Sequence, residues 1–76
     1  MTREEKSKML IGERVVRIAR DGKFICIQKV GNELAQDLLD HATEISIGTN
    51  EYLEIKCDTG TTWVFPNQEL KSIAYS

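Results

Sequence analysis

The chain has few of the residues from which reactive sites are usually built. Among 76 residues there is one histidine, one tryptophan, one proline and two cysteines. A lone His41 leaves no second imidazole for a relay. A catalytic role would also need a nucleophile or a second acid–base group beside it. The plain reading is a surface or structural histidine near a helix C-terminus, with Asp37 one turn earlier to hold it. Cys26 and Cys57 lack Cys-x-x-Cys spacing, and with His41 they make at most three zinc-type ligands. Nothing next to either cysteine in the chain would hold it as a thiolate. Free thiols in a reducing compartment are expected, with Cys57 a small buried hydrophobe. No run approaches the roughly 20 apolar residues of a membrane helix, and Met9-Leu10-Ile11 leads straight into charged residues instead of a signal-peptide core. The expectation is a cytoplasmic chain with no membrane partner, no cofactor, no metal and no catalytic residue. It contains no internal repeat, linker or low-complexity segment.

What is present is an ordinary globular composition, 41% apolar and 29% charged, which excludes a disordered tail. The length fits one domain spanning 1–76. A chain of this size buries only about 60% of its unfolded surface, and self-association is a common remedy. Charge is unevenly placed. Residues 1–30 carry eight basic and four acidic side chains, a net of +4; residues 31–76 carry two basic and eight acidic, a net of −6. If folding keeps the halves apart, the split favours a basic face for an anionic partner or head-to-tail packing of subunits.

The clearest local statement is Glu51–Ser76. Leu53, Ile55 and Cys57 alternate with Tyr52, Glu54 and Lys56, as in a strand with one buried face. Asp58-Thr59-Gly60 makes a short hairpin loop into Thr61–Phe65. Trp63 and Phe65 are the largest apolar pair available to the core, and Pro66 ends that strand. Asn67–Leu70 suits a tight turn, after which Lys71–Tyr75 is predicted to return as a last short strand.

Upstream, Thr2-Arg3-Glu4-Glu5 fits a capping box for a short helix over 2–11 with Gly12 at its C-terminal stop. Glu13–Val30 reads as a first hairpin. Its Arg20-Asp21-Gly22-Lys23 turn has the Asp-Gly composition that type I′ hairpins prefer. Apolar residues fall on both faces of its strands, which predicts a central hairpin or a face in contact with another subunit. Asn32 is a good N-cap. Leu34, Ala35, Leu38, Leu39 and Ala42 form the apolar stripe of a helix over about 32–43. Glu44–Ile47 alternates as a strand, and Gly48-Thr49-Asn50 turns the chain into the final hairpin.

The fold class is therefore α+β: a small, mostly antiparallel sheet, or partly open β-barrel, of 4–6 strands with one amphipathic helix and a short N-terminal one. The N-terminal helix, meandering strands and tight turn before the last strand resemble Sm-like and SH3-like barrels in architecture. The helix between the second and third strands departs from that plan.

Three surface features bear on function. Arg14, Arg17, Arg20 and Lys23 lie on or beside the first hairpin, with Arg14 and Arg17 on opposite strand faces, and guanidinium groups match phosphate geometry. Tyr52 and Tyr75 are placed near exposed positions of the C-terminal strands, where tyrosine suits an interface. Asp37, Asp40 and Glu44 line one helical side as a solvated acidic face. The reading these support is a small non-catalytic binding or regulatory module that acts through protein–protein contacts as a homo-oligomer. The alternative is a nucleic-acid-binding small barrel using the basic hairpin tip. A third is a small-ligand sensor or sequestering protein with pockets formed between subunits.

Overall fold

Alternating apolar patterns become strands and the 3.6-residue stripe becomes a helix in the computed structural model, which describes residues 1–75. Ser76, the end of the stretch that begins at Glu51, lies outside the described residues. In chain order the elements are α1 (Arg3–Leu10), β1 (Arg14–Ile18), β2 (Phe24–Lys29), α2 (Asn32–His41), β3 (Ala42–Ile47), β4 (Leu53–Cys57) and β5 (Thr62–Phe65). A 3-10 turn at Thr49–Glu51 precedes β4, and a 3-10 segment at Gln68–Tyr75 follows β5. The strands form one antiparallel sheet in the order β2-β1-β5-β4-β3. It is open, with β2 and β3 as its two ends, and does not close into a barrel.

Register decides which side chains share a face. Arg17 pairs with Cys26 and with Trp63, Trp63 with Ile55, and Ile55 with Ile45. Opposed residues point the same way, so these five make one row across the inner face. Val15, Phe65, Leu53 and Ile55 of that face are 0% exposed. Helix α2 covers it with Ala35 and Leu38, α1 with Leu10, and the 3-10 segment with Leu70 and Ile73, all fully buried or nearly so. Each of these leucine and isoleucine side chains contributes about 1.5–3 kcal/mol relative to exposure. The next rows point outward: Ile27, Val16, Val64, Glu54 and Ser46, then Phe24, Ile18, Thr62, Lys56 and Glu44.

The N-terminal capping box is formed. The Thr2 hydroxyl accepts from the Glu5 amide at 3.1 Å, and the Glu5 carboxylate accepts from the Thr2 amide at 3.2 Å. These bonds hold the Glu5 carboxyl below its ordinary pKa, the backbone donor being the larger cause. Gly12 follows the C-cap with φ +85° and donates to the Val30 carbonyl at 2.7 Å. A half-buried contact ties α1 to α2, the Gln36 amide donating to the Ser7 hydroxyl at 3.0 Å, and Arg3 pairs with Asp40 nearby.

Several expectations are corrected. Asn32 is not the N-cap: Gly31 takes the extended backbone and accepts the first helical bond from Ala35, without a side-chain cap. Helix α2 ends at His41 instead of 43, because Ala42 is already extended and pairs with Cys57 of β4. The Asp-Gly turn is not type I′, since Gly22 has φ +88° while Asp21 keeps negative φ. Bonds from Gly22 to Ala19 and from Ala19 to Lys23 make it a turn followed by a glycine bulge. Asp58-Thr59-Gly60 repeats that construction, with Gly60 at φ +91°. Residues Lys71–Tyr75 form no strand. The turn at Asn67 continues as 3-10 helix, whose three-residue period puts Leu70 and Ile73 together on the core. Phe24 is 62% exposed, because it points outward from the edge strand β2.

Candidate functional site: a cleft between α2 and the sheet

Helix α2 crosses the inner face without covering all of it. Beside it, towards the loop end of the β4–β5 hairpin, lies a partly open cleft of about 310 Å³. Leu34, Leu38, Asp37 and His41 line the helix side. Arg17, Gln28, Cys57 and Trp63 form the sheet side, and Thr59 and Thr61 stand at the mouth.

The central pair is Arg17 and Trp63. They are cross-strand neighbours, and the guanidinium carbon lies 5.2 Å from the centre of the indole ring. That geometry is a cation–π contact, worth about 0.5–2 kcal/mol depending on desolvation. Arg17 Nε is sealed from solvent with no hydrogen-bond partner among the described residues. An arginine in the apolar run Val15-Val16-Arg17-Ile18 takes this place because its inward parity matches that of Val15. The fork is thus presented to the cleft and not to the hairpin tip.

His41 is the second titratable group of the cleft. Its Nδ1 lies 3.1 Å from Asp58 Oδ2, and its carbonyl accepts from the Asp58 amide at 2.9 Å. The hydrogen bond and the charge of Asp58 raise the imidazole pKa above its ordinary 6.5, with smaller help from Asp37 and Asp40. Asp58 and not Asp37 holds the histidine, because the β4–β5 turn returns to the helix terminus. Burial pushes the Cys57 thiol up, with Asp58 adding to the effect, so the neutral form dominates near pH 7. Cys26 is also a free thiol, and its Sγ lies 3.4 Å from Gln28 Oε1.

The three acids expected on one helical side separate in the structure, because α2 ends at His41 and Glu44 belongs to β3. Asp40 pairs with Arg3, Glu44 lies 3.5 Å from Lys56, and Asp37 is left to the cleft. Among the described residues no three His, Cys, Asp or Glu side chains are gathered closely enough to hold a metal ion.

The basic residues of the first hairpin also diverge. Arg17 turns inward. Arg20 crosses to the other hairpin loop and donates to the Thr59 carbonyl at 3.1 Å. Lys23 is exposed at the tip, and Arg14 is exposed at the far end of β1. The tyrosines are not on strands. Tyr52 is half-buried just before β4, and Tyr75 is 76% exposed in the 3-10 segment. The cleft itself escaped sequence reasoning. Its one legible signal was a cation within a β-branched run, and its partner across the sheet depends on register.

Among the described residues no helix is long and apolar enough to cross a membrane. Comparison of the chain with protein-family models, with curated proteins and with solved structures finds no match.

Proposed function

We propose that the chain is a small non-catalytic binding and regulatory module that acts through protein–protein contacts and assembles with copies of itself. The observation that carries this reading is the outer face of the β1–β2 hairpin. Phe24 and Ile27 are 62% and 55% exposed, and they adjoin Val16, Ile18 and Val64 on the same face. Clustered apolar exposure of this kind marks contact surfaces on soluble proteins. The patch runs to β2, which has a strand neighbour only on its β1 side. Edge strands are normally blunted by charge or a bulge. Lys29 and the irregularity near Phe24 protect the ends of β2, but its middle is open.

The rest of the outer face is polar, with Glu44, Ser46, Glu54 and Lys56 on β3 and β4. The apolar counterpart available on this face is therefore the same patch on a second copy, which is an isologous contact. Arg14, Lys23 and Lys29 would rim such a contact with like charge, so association should strengthen as salt screens the repulsion. Sedimentation equilibrium at tens of micromolar tests the proposal. It should give a mass near twice 8.6 kDa, rising further toward the dimer with added salt. A monomer under all salt conditions would overturn it.

A further inference from the structure

We infer that the cleft beside α2 is a binding site for a small monocarboxylate that also carries a hydrogen-bond donor. Three observations meet there. First, Arg17 offers a planar fork with no ion-pair partner among the described residues, fixed in direction by Trp63. A guanidinium donates two parallel hydrogen bonds to a carboxylate. Nε is closed to solvent, so a carboxylate entering the cleft meets the terminal nitrogens of the fork. Second, Asp37 lines the same cleft without forming an ion pair to Arg17. The other nearby acids are engaged, Asp58 with His41 and Asp40 with Arg3. Arg17 and Asp37 thus face one space without pairing with each other, and His41, already held by Asp58, lines the same cleft. Third, Leu34, Leu38 and Trp63 supply apolar wall between them.

These features select a ligand class. The carboxylate goes to Arg17, a hydroxyl or ammonium donates to Asp37, and a compact apolar body rests on Trp63 and Leu34. A doubly charged phosphate fits less well, because it would face the Asp37 carboxylate and leave the apolar wall uncovered. The volume of about 310 Å³ lies at the small end of ligand sites.

Trp63 is the only tryptophan in the chain, so its emission reports on this cleft alone. The test is a fluorescence titration with four probes on one skeleton: phenylacetate, mandelate, phenylglycine and benzyl alcohol. Mandelate or phenylglycine should give a saturable change with a Kd on the order of 1 mM, as suits a fragment-sized probe. Phenylacetate should bind several-fold more weakly, and benzyl alcohol should not saturate. Which of mandelate and phenylglycine binds better tells whether the donor is hydroxyl or ammonium. Arg17→Gln should weaken binding about ten- to a hundredfold with the circular dichroism unchanged. Asp37→Asn should erase the preference over phenylacetate. Leu34→Phe narrows the cleft from the helix side and should also weaken binding, which keeps the test decisive if Arg17→Gln fails to fold. The inference is overturned if no probe saturates by about 50 mM, beyond the weakest fragment affinities of interest. Benzyl alcohol matching the acids, or Arg17→Gln binding as tightly as the native chain, would overturn it equally.

Discussion

Ile27→Lys is the sharpest perturbation of the proposed contact. Ile27 pairs with Val16 in the middle of the outer apolar patch and is 55% exposed in the single chain. Fully burying an isoleucine is worth about 1.5–3 kcal/mol, so covering its remaining exposed half contributes about 1 kcal/mol per copy. An isologous contact uses the residue twice, giving about 2 kcal/mol per dimer. Placing an ammonium against apolar surface adds at least about 1 kcal/mol more. The sum of about 3 kcal/mol raises the dimer Kd roughly a hundredfold, at 1.4 kcal/mol per factor of ten. In the dissociated chain the position is half-exposed and the lysine stem replaces part of the packing on Val16, so the substitution should change monomer stability by no more than about 1 kcal/mol. The assay is sedimentation equilibrium over a concentration series, paired with thermal melts at high dilution. Glu44→Gln, on the polar part of the same face, is the control and should leave the mass unchanged. The reasoning is refuted if Ile27→Lys sediments like the native chain, or if its mass falls only because the diluted monomer melts much earlier.

Three further outcomes are expected. Ile55→Ala removes a 0% exposed side chain between Trp63 and Ile45 and should cost about 3–4 kcal/mol in urea unfolding; a loss below about 1 kcal/mol would contradict the central place given to this row. Gly60→Ala should cost about 1–2 kcal/mol, because φ is +91° and the new Cβ would run into the Arg20 guanidinium. Combining it with Arg20→Ala should remove the clash but keep the backbone cost, and full recovery would refute that division. The raised His41 pKa means that its pairing with Asp58 stabilises the fold fully below the ordinary value of 6.5 and loses this effect as pH rises through the folded value. Imidazole resonances should titrate above 6.5 in the native chain and return toward it in Asp58→Asn; titration unchanged by that substitution would show that another group holds the ring.

Local rules carried the elements a long way. The alternation of Leu53, Ile55 and Cys57 gave a half-buried strand, Thr2 and Glu5 gave a capping box, and Pro66 fixed the end of β5. These outcomes rest on backbone chemistry within a few residues, so no tertiary knowledge was needed. Boundaries failed where distant strands intervened. Pairing of Ala42 with Cys57 shortened α2, and an open core position for Leu70 and Ile73 turned an expected strand into 3-10 helix.

By itself, the sequence determined the α+β class, the hairpins and most of the buried residues, because period and turn chemistry are local properties. Only the tertiary structure decided the strand order that leaves β2 at an edge with Phe24 and Ile27 exposed. It alone set Arg17 on Trp63 and Arg20 on the Thr59 carbonyl, and it brought Asp58 to His41 from across a turn. Each of these depends on which strands become neighbours and in what register. Sheet pairing joins residues far apart in the chain, and periodicity along one strand says nothing about its neighbour.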